Sequence, residues 1–344
     1  MREDTIAVII PVWNTPAWML EKCVRSVEAQ THPLQQILLM DDGSSAAETL
    51  ECLERLAGES TAVELAHLPH GGISAARNAG LERVRSAWFL FLDSDDFWEP
   101  GFVAGLLWAA EEKTQIVFCG YQVVDYSGRN VISRSPDKAL LLDPARSPYF
   151  TCGTGSRLWN TAFVQRLGRA GSFPLHCIME DELFSAFVIA AAENIVCVEQ
   201  YGYNVRSRED STCRSRASFN KSNVAQMPLE AMREGLSTVQ PAGEWQKQVL
   251  HCRCLHSMMA ASWIFCCYAA PAERRIVARQ AADLVRECLP DYTQIAENPA
   301  MQRLYAPVHR AALRVYAFAV SHHMEYAVQV LCVTAMRLYY KMAK

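Results

Sequence analysis

From Thr5 to about Val124 the chain alternates short, near-continuously apolar runs with stretches whose apolar residues recur at helical spacing. Runs of that kind are expected of strands covered on both faces, and the alternation predicts a parallel sheet with crossover helices. Four strands are expected: Ile6 to Pro11, Gln36 to Met40, Ala62 to Leu68 and Trp88 to Leu92. A fifth is expected over Ile116 to Val124, after a helix that follows Gly101. Leu20, Cys23, Val24 and Val27, and then Leu50, Leu53 and Leu56, mark two intervening helices, and Ser74 is expected to cap a third that runs to Val84.

Residues from about 125 to 215 are richer in Gly, Pro, Ser and Arg, with a helix expected near Asp181 and a strand near Ile195 to Val198. Such loop-rich surface is where function concentrates. Beyond about Phe219, Ala, Leu, Met, Arg and Glu dominate and the alternation disappears, so this third is expected to be helical. The class is therefore α/β followed by a helical region.

Composition adds constraints. The 344 residues are 51% hydrophobic and 20% charged, which suits a folded chain able to bury a large core. A net charge of −4, with no basic block, removes the electrostatic footprint expected of a nucleic-acid binder. Met1 to Asp4 is charged and leads into an apolar run too short for a signal peptide, so the mature chain is expected to start here. The thirteen cysteines are scattered and read as reduced core thiols. His251, Cys252, Cys254 and His256 lack the spacing of a zinc knuckle and read as helix residues, as do the pairs Cys266/Cys267 and His322/His323. The longest apolar stretch, Met258 to Ala270, falls short of the ~20 residues of a bilayer span. The tail from Ala311 to Lys344 suits either an interfacial amphipathic helix or one packed on its own chain, and core packing is the commoner cause of such a stripe.

Four constellations carry candidate chemistry. Asp41, Asp42, Gly43 and Ser44 follow the second strand, where an open α/β sheet meets its ligands. A turn with Ser44 or Ser45 as a helix cap would explain the same residues. Gly71, Gly72 and the small-residue run to Gly80 open a helix in which Arg77 lies one turn along, able to reach a phosphate or a base. Neither the GxGxxG nor the P-loop pattern is present, and tight helix packing is the alternative. Asp93, Ser94, Asp95 and Asp96 crowd three carboxylates at the end of the fourth strand, which a divalent cation such as Mg²⁺ or Mn²⁺ would relieve. Glu180, Asp181 and Glu182 open a later helix, where the dipole favours acids in any case; beside a metal-bound diphosphate, one of them would be placed to take a proton.

Taken in order, Ile9-Ile10-Pro11-Val12-Trp13-Asn14, Asp41-Asp42-Gly43-Ser44, the Gly71 to Gly80 run with its Ala-Ala-Arg-Asn-Ala-Gly, and Asp93-Ser94-Asp95-Asp96 resemble the successive signatures of family 2 glycosyltransferases of GT-A fold. The likeness covers about residues 5 to 125. Trp159 and Asn160, the Glu180 to Glu182 cluster, and Tyr201, Tyr203, Arg206, Arg208, Glu209, Asp210 and Ser211 are similar to the acceptor half of bacterial members. The resemblance implies a nucleotide-sugar-binding half over 1–124, an acceptor-binding half over 125–218 and an appended helical region over 219–344.

It also implies an inverting, metal-dependent transfer of one hexosyl or N-acetylhexosaminyl group from a nucleotide sugar, with uridine diphosphate as the expected carrier. The acceptor would be a glycan or lipid-linked acceptor of surface polysaccharide synthesis, and the place the cytoplasm or the inner face of the cell membrane. By position in the motifs, Pro11, Val12 and Asp41 would face the base, Arg77 would support the nucleotide, and Asp93 with Ser94 would meet the ribose side. Asp95 would ligate Mn²⁺ or Mg²⁺, and Asp181 would be the general base. Thr161 stands where the family often has Lys, and Trp13 where Tyr is commoner. The QxxRW signature of processive synthases is absent, which favours single-sugar addition. The rival readings are a nucleotidyltransferase, separable by its pyrophosphate product, and a non-catalytic nucleotide-sugar-binding scaffold.

Overall fold

The structure is a computed structural model that describes residues 4–136, 138–141, 153–177, 179–208, 228–268, 271–295, 297–305 and 307–328. These form two compact units. One comprises residues 1–176 and 180–208, the other 177–179 and 209–344.

The first unit is built on a seven-stranded sheet. Its strands are β1 (Ile6–Val12), β2 (Gln36–Asp41), β3 (Val63–His67), β4 (Trp88–Phe91), β6 (Ile116–Phe118), β9 (Arg157–Asn160) and β10 (Ile195–Cys197), in the order β10-β6-β9-β4-β1-β2-β3. β1 runs parallel to β2 and β4, and β2 parallel to β3, so the four strands expected from the apolar runs are present with the expected crossovers. The crossover helices are α1 (Ala17–Glu28), α2 (Ala47–Glu59) and α3 (Ile73–Arg83). A further helix, α4 (Phe102–Ala109), follows Gly101.

Alternate side chains of each strand serve two cores. Ile6, Val8, Ile10, Ile37, Leu39, Trp88 and Leu90 pack with Leu20, Cys23 and Val24 of α1, Leu53 of α2 and Phe102 and Leu106 of α4. The opposite face carries an aromatic cluster. Phe91 meets Phe173 and Phe184 edge-on at 5.2 and 5.8 Å between ring centroids, and those two rings stack at 4.1 Å. On this face α3 comes so close to β1 that a Cβ on Gly80 would overlap the Ile9 side chain, so the small-residue run does serve tight packing.

The single strand expected over Ile116 to Val124 is two. β6 stays in the large sheet, while β7 (Tyr121–Val124) joins a second, four-stranded sheet of order β5-β11-β7-β8, with β5 (Phe97–Trp98), β8 (Val131–Ser135) and β11 (Tyr203–Arg206). The break falls at Gly120, where any side chain would collide with the Tyr201 ring. β9, which the sequence pattern did not mark, inserts antiparallel between β4 and β6.

Two capping expectations also change. α3 begins at Ile73 after Gly72, whose φ of 86° suits glycine, and Ser74 lies inside the helix. α2 is capped neither by Ser44 nor by Ser45. The Asn14 side-chain oxygen accepts from the Ser45 and Ala46 amides at 2.8 and 2.9 Å, with Asn14 itself at φ 48°.

The second unit is helical where described, with helices Leu229–Thr238, Glu244–Tyr268, Pro271–Cys288 and Pro307–Ser321 as its long members. Cys252 and Cys254 are both buried in it. No described helix is long and apolar enough to cross a membrane. The tail beyond residue 328 lies outside the described residues, as do Glu209, Asp210, Ser211 and the side chains of Cys266 and Cys267.

Candidate active site

The carboxyl ends of β1, β2 and β4 place three of the four constellations along one edge of the sheet. Asp41 ends β2 opposite Val12 on one side and His67 on the other. Its buried carboxylate accepts from the Ser44 amide at 3.0 Å through one oxygen and faces His67 Nδ1 at 2.7 Å with the other. Asp42, also buried, accepts from the Gly71 and Gly72 amides at 2.8 and 3.1 Å through Oδ1, and its Oδ2 lies 3.0 Å from the Gly72 amide and 2.8 Å from His70 Nδ1. The first two constellations are thus one structure, in which a carboxylate on β2 pins the glycine loop that starts α3. Pro11 and Val12 are buried in β1, with Val12 inside the apolar core and its carbonyl accepting from the Asp42 amide.

The turn after β4 holds the third constellation, and its three carboxylates go to different places. Asp96 turns inward: it accepts from the Arg206 amide at 2.8 Å and from the Tyr203 hydroxyl, and burial, then Asp95 and Asp93, push its pKa well up. The same Tyr203 hydroxyl accepts from the Asp93 amide at 3.2 Å, and Arg206 Nε donates to the Asp95 carbonyl at 2.9 Å. Tyr203 and Arg206, which the resemblance put on the acceptor side, therefore lie under the carboxylate turn and fix its path. Ser94 Oγ is buried against Thr15 Oγ1 at 2.7 Å. Asp93 and Asp95 present their carboxylates outward, with side chains 44% and 24% exposed.

Arg77 joins this turn to the fourth constellation. Its guanidinium, only 5% exposed, donates to Asp93 Oδ1 at 3.0 Å and to Glu180 Oε1 at 3.1 Å, and lies over the Phe173 ring. The helix Glu180–Ala191 is thereby held at the mouth of the sheet although it starts more than a hundred residues after Arg77. Next to Glu180, the partly buried Asp181 accepts from the Glu182 amide at 2.8 Å. Burial first, and then the Glu180 charge, push its carboxyl up to about 7, with Arg77 opposing. A carboxyl titrating near neutrality in a site is what proton abstraction from a hydroxyl needs.

Among the described residues no three His, Cys, Asp or Glu side chains converge as a metal cage. Mg²⁺-like ions, however, are commonly held by one or two carboxylates with substrate phosphates completing the shell. Asp93 and Asp95 fit that pattern. Both are outward-facing oxygen donors, and the Asp95 carboxyl is raised by burial and then by Asp93, with Arg208 at 3.0 Å partly compensating. Trp159 and Asn160 are not presented to a ligand. Trp159 is buried between Phe89 and Phe184, and the Asn160 side chain caps the following helix by accepting from the Phe163 amide.

This geometry can be set beside known proteins. The sequence profile described as Glycosyl transferase family 2 matches residues 7–173, the stretch that contributes β1 to β4 and the carboxylate turn. The chain carries a family 2 glycosyltransferase domain. EpsH of Bacillus subtilis, named as a glycosyltransferase, is 26% identical over 216 residues, which are 60% of this chain and 62% of EpsH. Glycosyltransferase GlyA of Streptococcus pneumoniae is 35% identical over 104 residues, 30% of this chain and 15% of GlyA. The chain thus matches less than two thirds of the length of these relatives. Among solved structures, S. aureus TarS 1-349 in complex with UDP-GlcNAc aligns with a TM-score of 0.69 at 19% identity, over 94% of this chain and 90% of that one. The mannosyltransferase PcManGT from Pyrobaculum calidifontis, in complex with GDP-Man and Mn²⁺, aligns with a TM-score of 0.53 at 16% identity, over 94% and 87%. Both likenesses establish a shared GT-A fold.

Proposed function

We propose that this glycosyltransferase domain moves one sugar from a nucleoside diphosphate sugar to a hydroxyl of a glycan or lipid-linked acceptor, by a single displacement that inverts the anomeric centre. The observation that carries this reading is Arg77, which gathers the Asp93 turn and the Glu180-Asp181 helix start into one cluster. Donor-side carboxylates and a near-neutral carboxyl then share a single mouth.

In this reading Asp41 accepts from the base, Asp93 with Ser94 lies at the ribose side, and Arg77 holds the turn that receives them. Asp95 with Asp93 would hold Mn²⁺ or Mg²⁺, which when bound neutralises the departing diphosphate. Asp181 takes the acceptor proton as the new glycosidic bond forms, and the nucleoside diphosphate leaves from the opposite face of the sugar. Support for a uridine carrier comes from the TarS complex, whose fold this chain shares, while PcManGT shows GDP-Man and Mn²⁺ on that same fold. Activity at the inner face of the cell membrane is the expected setting.

The test is a panel of UDP- and GDP-sugars incubated with Mn²⁺ and hydroxyl acceptors, with release of nucleoside diphosphate as readout. Release dependent on the donor sugar and reduced in Asp181→Asn supports the reading. Pyrophosphate release, or donor binding with no turnover over the whole acceptor panel, would overturn it.

A further inference from the structure

His67 closes β3 beside Asp41, and its two ring nitrogens face two different acids. Nδ1 lies 2.7 Å from Asp41 Oδ2 and Nε2 lies 3.0 Å from Glu54 Oε1. A carboxylate only accepts hydrogen bonds, so a ring held between two of them donates from both nitrogens, which requires imidazolium. The elements packed on β3 are β2, bringing Asp41, and α2, bringing Glu54. Among the described residues these are the charged groups that act on the ring, and their hydrogen bonds, Asp41 first, raise its pKa. Asp41 is buried while His67 is half exposed, so the ring is the solvent-facing member that can exchange a proton.

The Ser44 amide occupies the other Asp41 oxygen, so the carboxylate is fixed at both ends. Loss of one ring proton leaves a nitrogen lone pair directed at one of the two carboxylates. A neutral ring has one N–H and can donate to only one of the two acids, so the Asp41 contact is either lost or, where Nδ1 keeps its hydrogen and the exposed Glu54 turns away, reduced from a charge-assisted hydrogen bond to an uncharged one.

We propose that His67 is a positioning residue for the nucleotide: as a doubly donating imidazolium it holds the Asp41 carboxylate in the orientation that receives the base, so nucleotide affinity falls as pH rises. This rests on the reading of Asp41 as the base acceptor. Because binding linkage is reciprocal, the nucleotide in turn stabilises the protonated ring.

UDP titrations by calorimetry at pH 6.5 and 8.5, on the full chain as wild type, His67→Gln and Asp41→Asn, test it. UDP's own ionisations are common to all three proteins and cancel in the comparison. The wild type is expected to lose about tenfold more affinity over this interval than His67→Gln, the change that one charge-assisted hydrogen bond carries. Ring NMR of the wild type is a second measurement that needs no variant, and the His67 titration midpoint should move upward when UDP is added. Parallel pH dependences of wild type and His67→Gln, or a midpoint that UDP leaves in place, overturn the proposal. If Asp41→Asn binds UDP as the wild type does, the base-acceptor reading itself is wrong. If Asp41→Asn binds weakly while His67→Gln tracks the wild type, only the role of His67 fails.

Discussion

Replacing Asp181 with Asn sets activity against stability in one variant. The carboxyl has its pKa raised from the ordinary 3.8 to about 7 by burial and by Glu180. The folded chain therefore holds this proton over an interval in which the unfolded chain has released it. Stability falls as pH climbs from 3.8, and the full cost is present above about 7. At roughly 1.4 kcal/mol per tenfold change in proton affinity, the upper bound is about 4 kcal/mol. Solvent reaching the partly buried side chain reduces this, so Asp181→Asn is expected to stabilise the chain by about 1–3 kcal/mol at pH 8 and by almost nothing at pH 4. Turnover should move the other way. A base with its pKa near 7 is about one-tenth ionised at pH 6 and about nine-tenths at pH 8, so wild-type kcat should rise about tenfold across that interval. The variant should lose that limb and about 10²–10⁴ of kcat while still binding UDP. Urea unfolding at pH 4 and 8 and a pH-rate profile from nucleoside diphosphate release measure both halves. A variant destabilised at pH 8, or one that keeps the wild-type acid limb, would show that Asp181 only starts a helix.

Other expectations follow from the same geometry. Asp95→Ala should abolish Mn²⁺-dependent donor binding, read by calorimetry with UDP in the presence and absence of the ion, while leaving the circular dichroism unchanged; EDTA should inactivate the wild type until Mn²⁺ or Mg²⁺ is restored. Arg77→Met leaves Glu180 and Asp93 without their shared cation and should cost about 2–4 kcal/mol of stability, somewhat less than a fully buried broken pair because Asp93 is substantially exposed. The same variant should displace the acid limb of kcat to higher pH, since Arg77 is the charge that opposes the rise at Asp181. Gly80→Ala should cost about 1–3 kcal/mol in urea unfolding through overlap with Ile9, with activity per folded molecule largely kept.

What the sequence made legible was whatever a short window carries. β1, β2 and β4 are continuous apolar runs, and the turn residues that end them are contiguous with the carboxylates they deliver. Partnerships across the chain were not legible. β9 is four residues long and contains the fully buried Arg157, so neither apolar run nor alternation marks it, and its place between β4 and β6 is set by pairing alone. Gly120 reads as an interruption only once Tyr201 is seen against it. Asp42 looked like half of an acidic pair beside a turn, and its work on the glycine loop depends on two amides about thirty residues on. Arg77 could be picked out as a cation near a glycine loop, but not as the link between Asp93 and a helix that starts at Glu180.

The suspension of the carboxylate turn from Tyr203 and Arg206 has a consequence for how the protein is made. A ribosome delivers β1 to β4 and the Asp93 turn long before it delivers β11, and the partners that β1 and β2 need in the sheet all lie within that early stretch. The nascent sheet then carries a buried-to-be Asp96 whose hydrogen-bond donors, the Tyr203 hydroxyl and the Arg206 amide, are more than a hundred residues from being synthesised. Until Arg206 arrives, that turn is hydrated and unfixed. Fragments that stop short of β11 are thus expected to resist protease over β1 to β4 while remaining open to cleavage at residues 93–96, and donor binding should switch on at a definite chain length instead of growing in gradually.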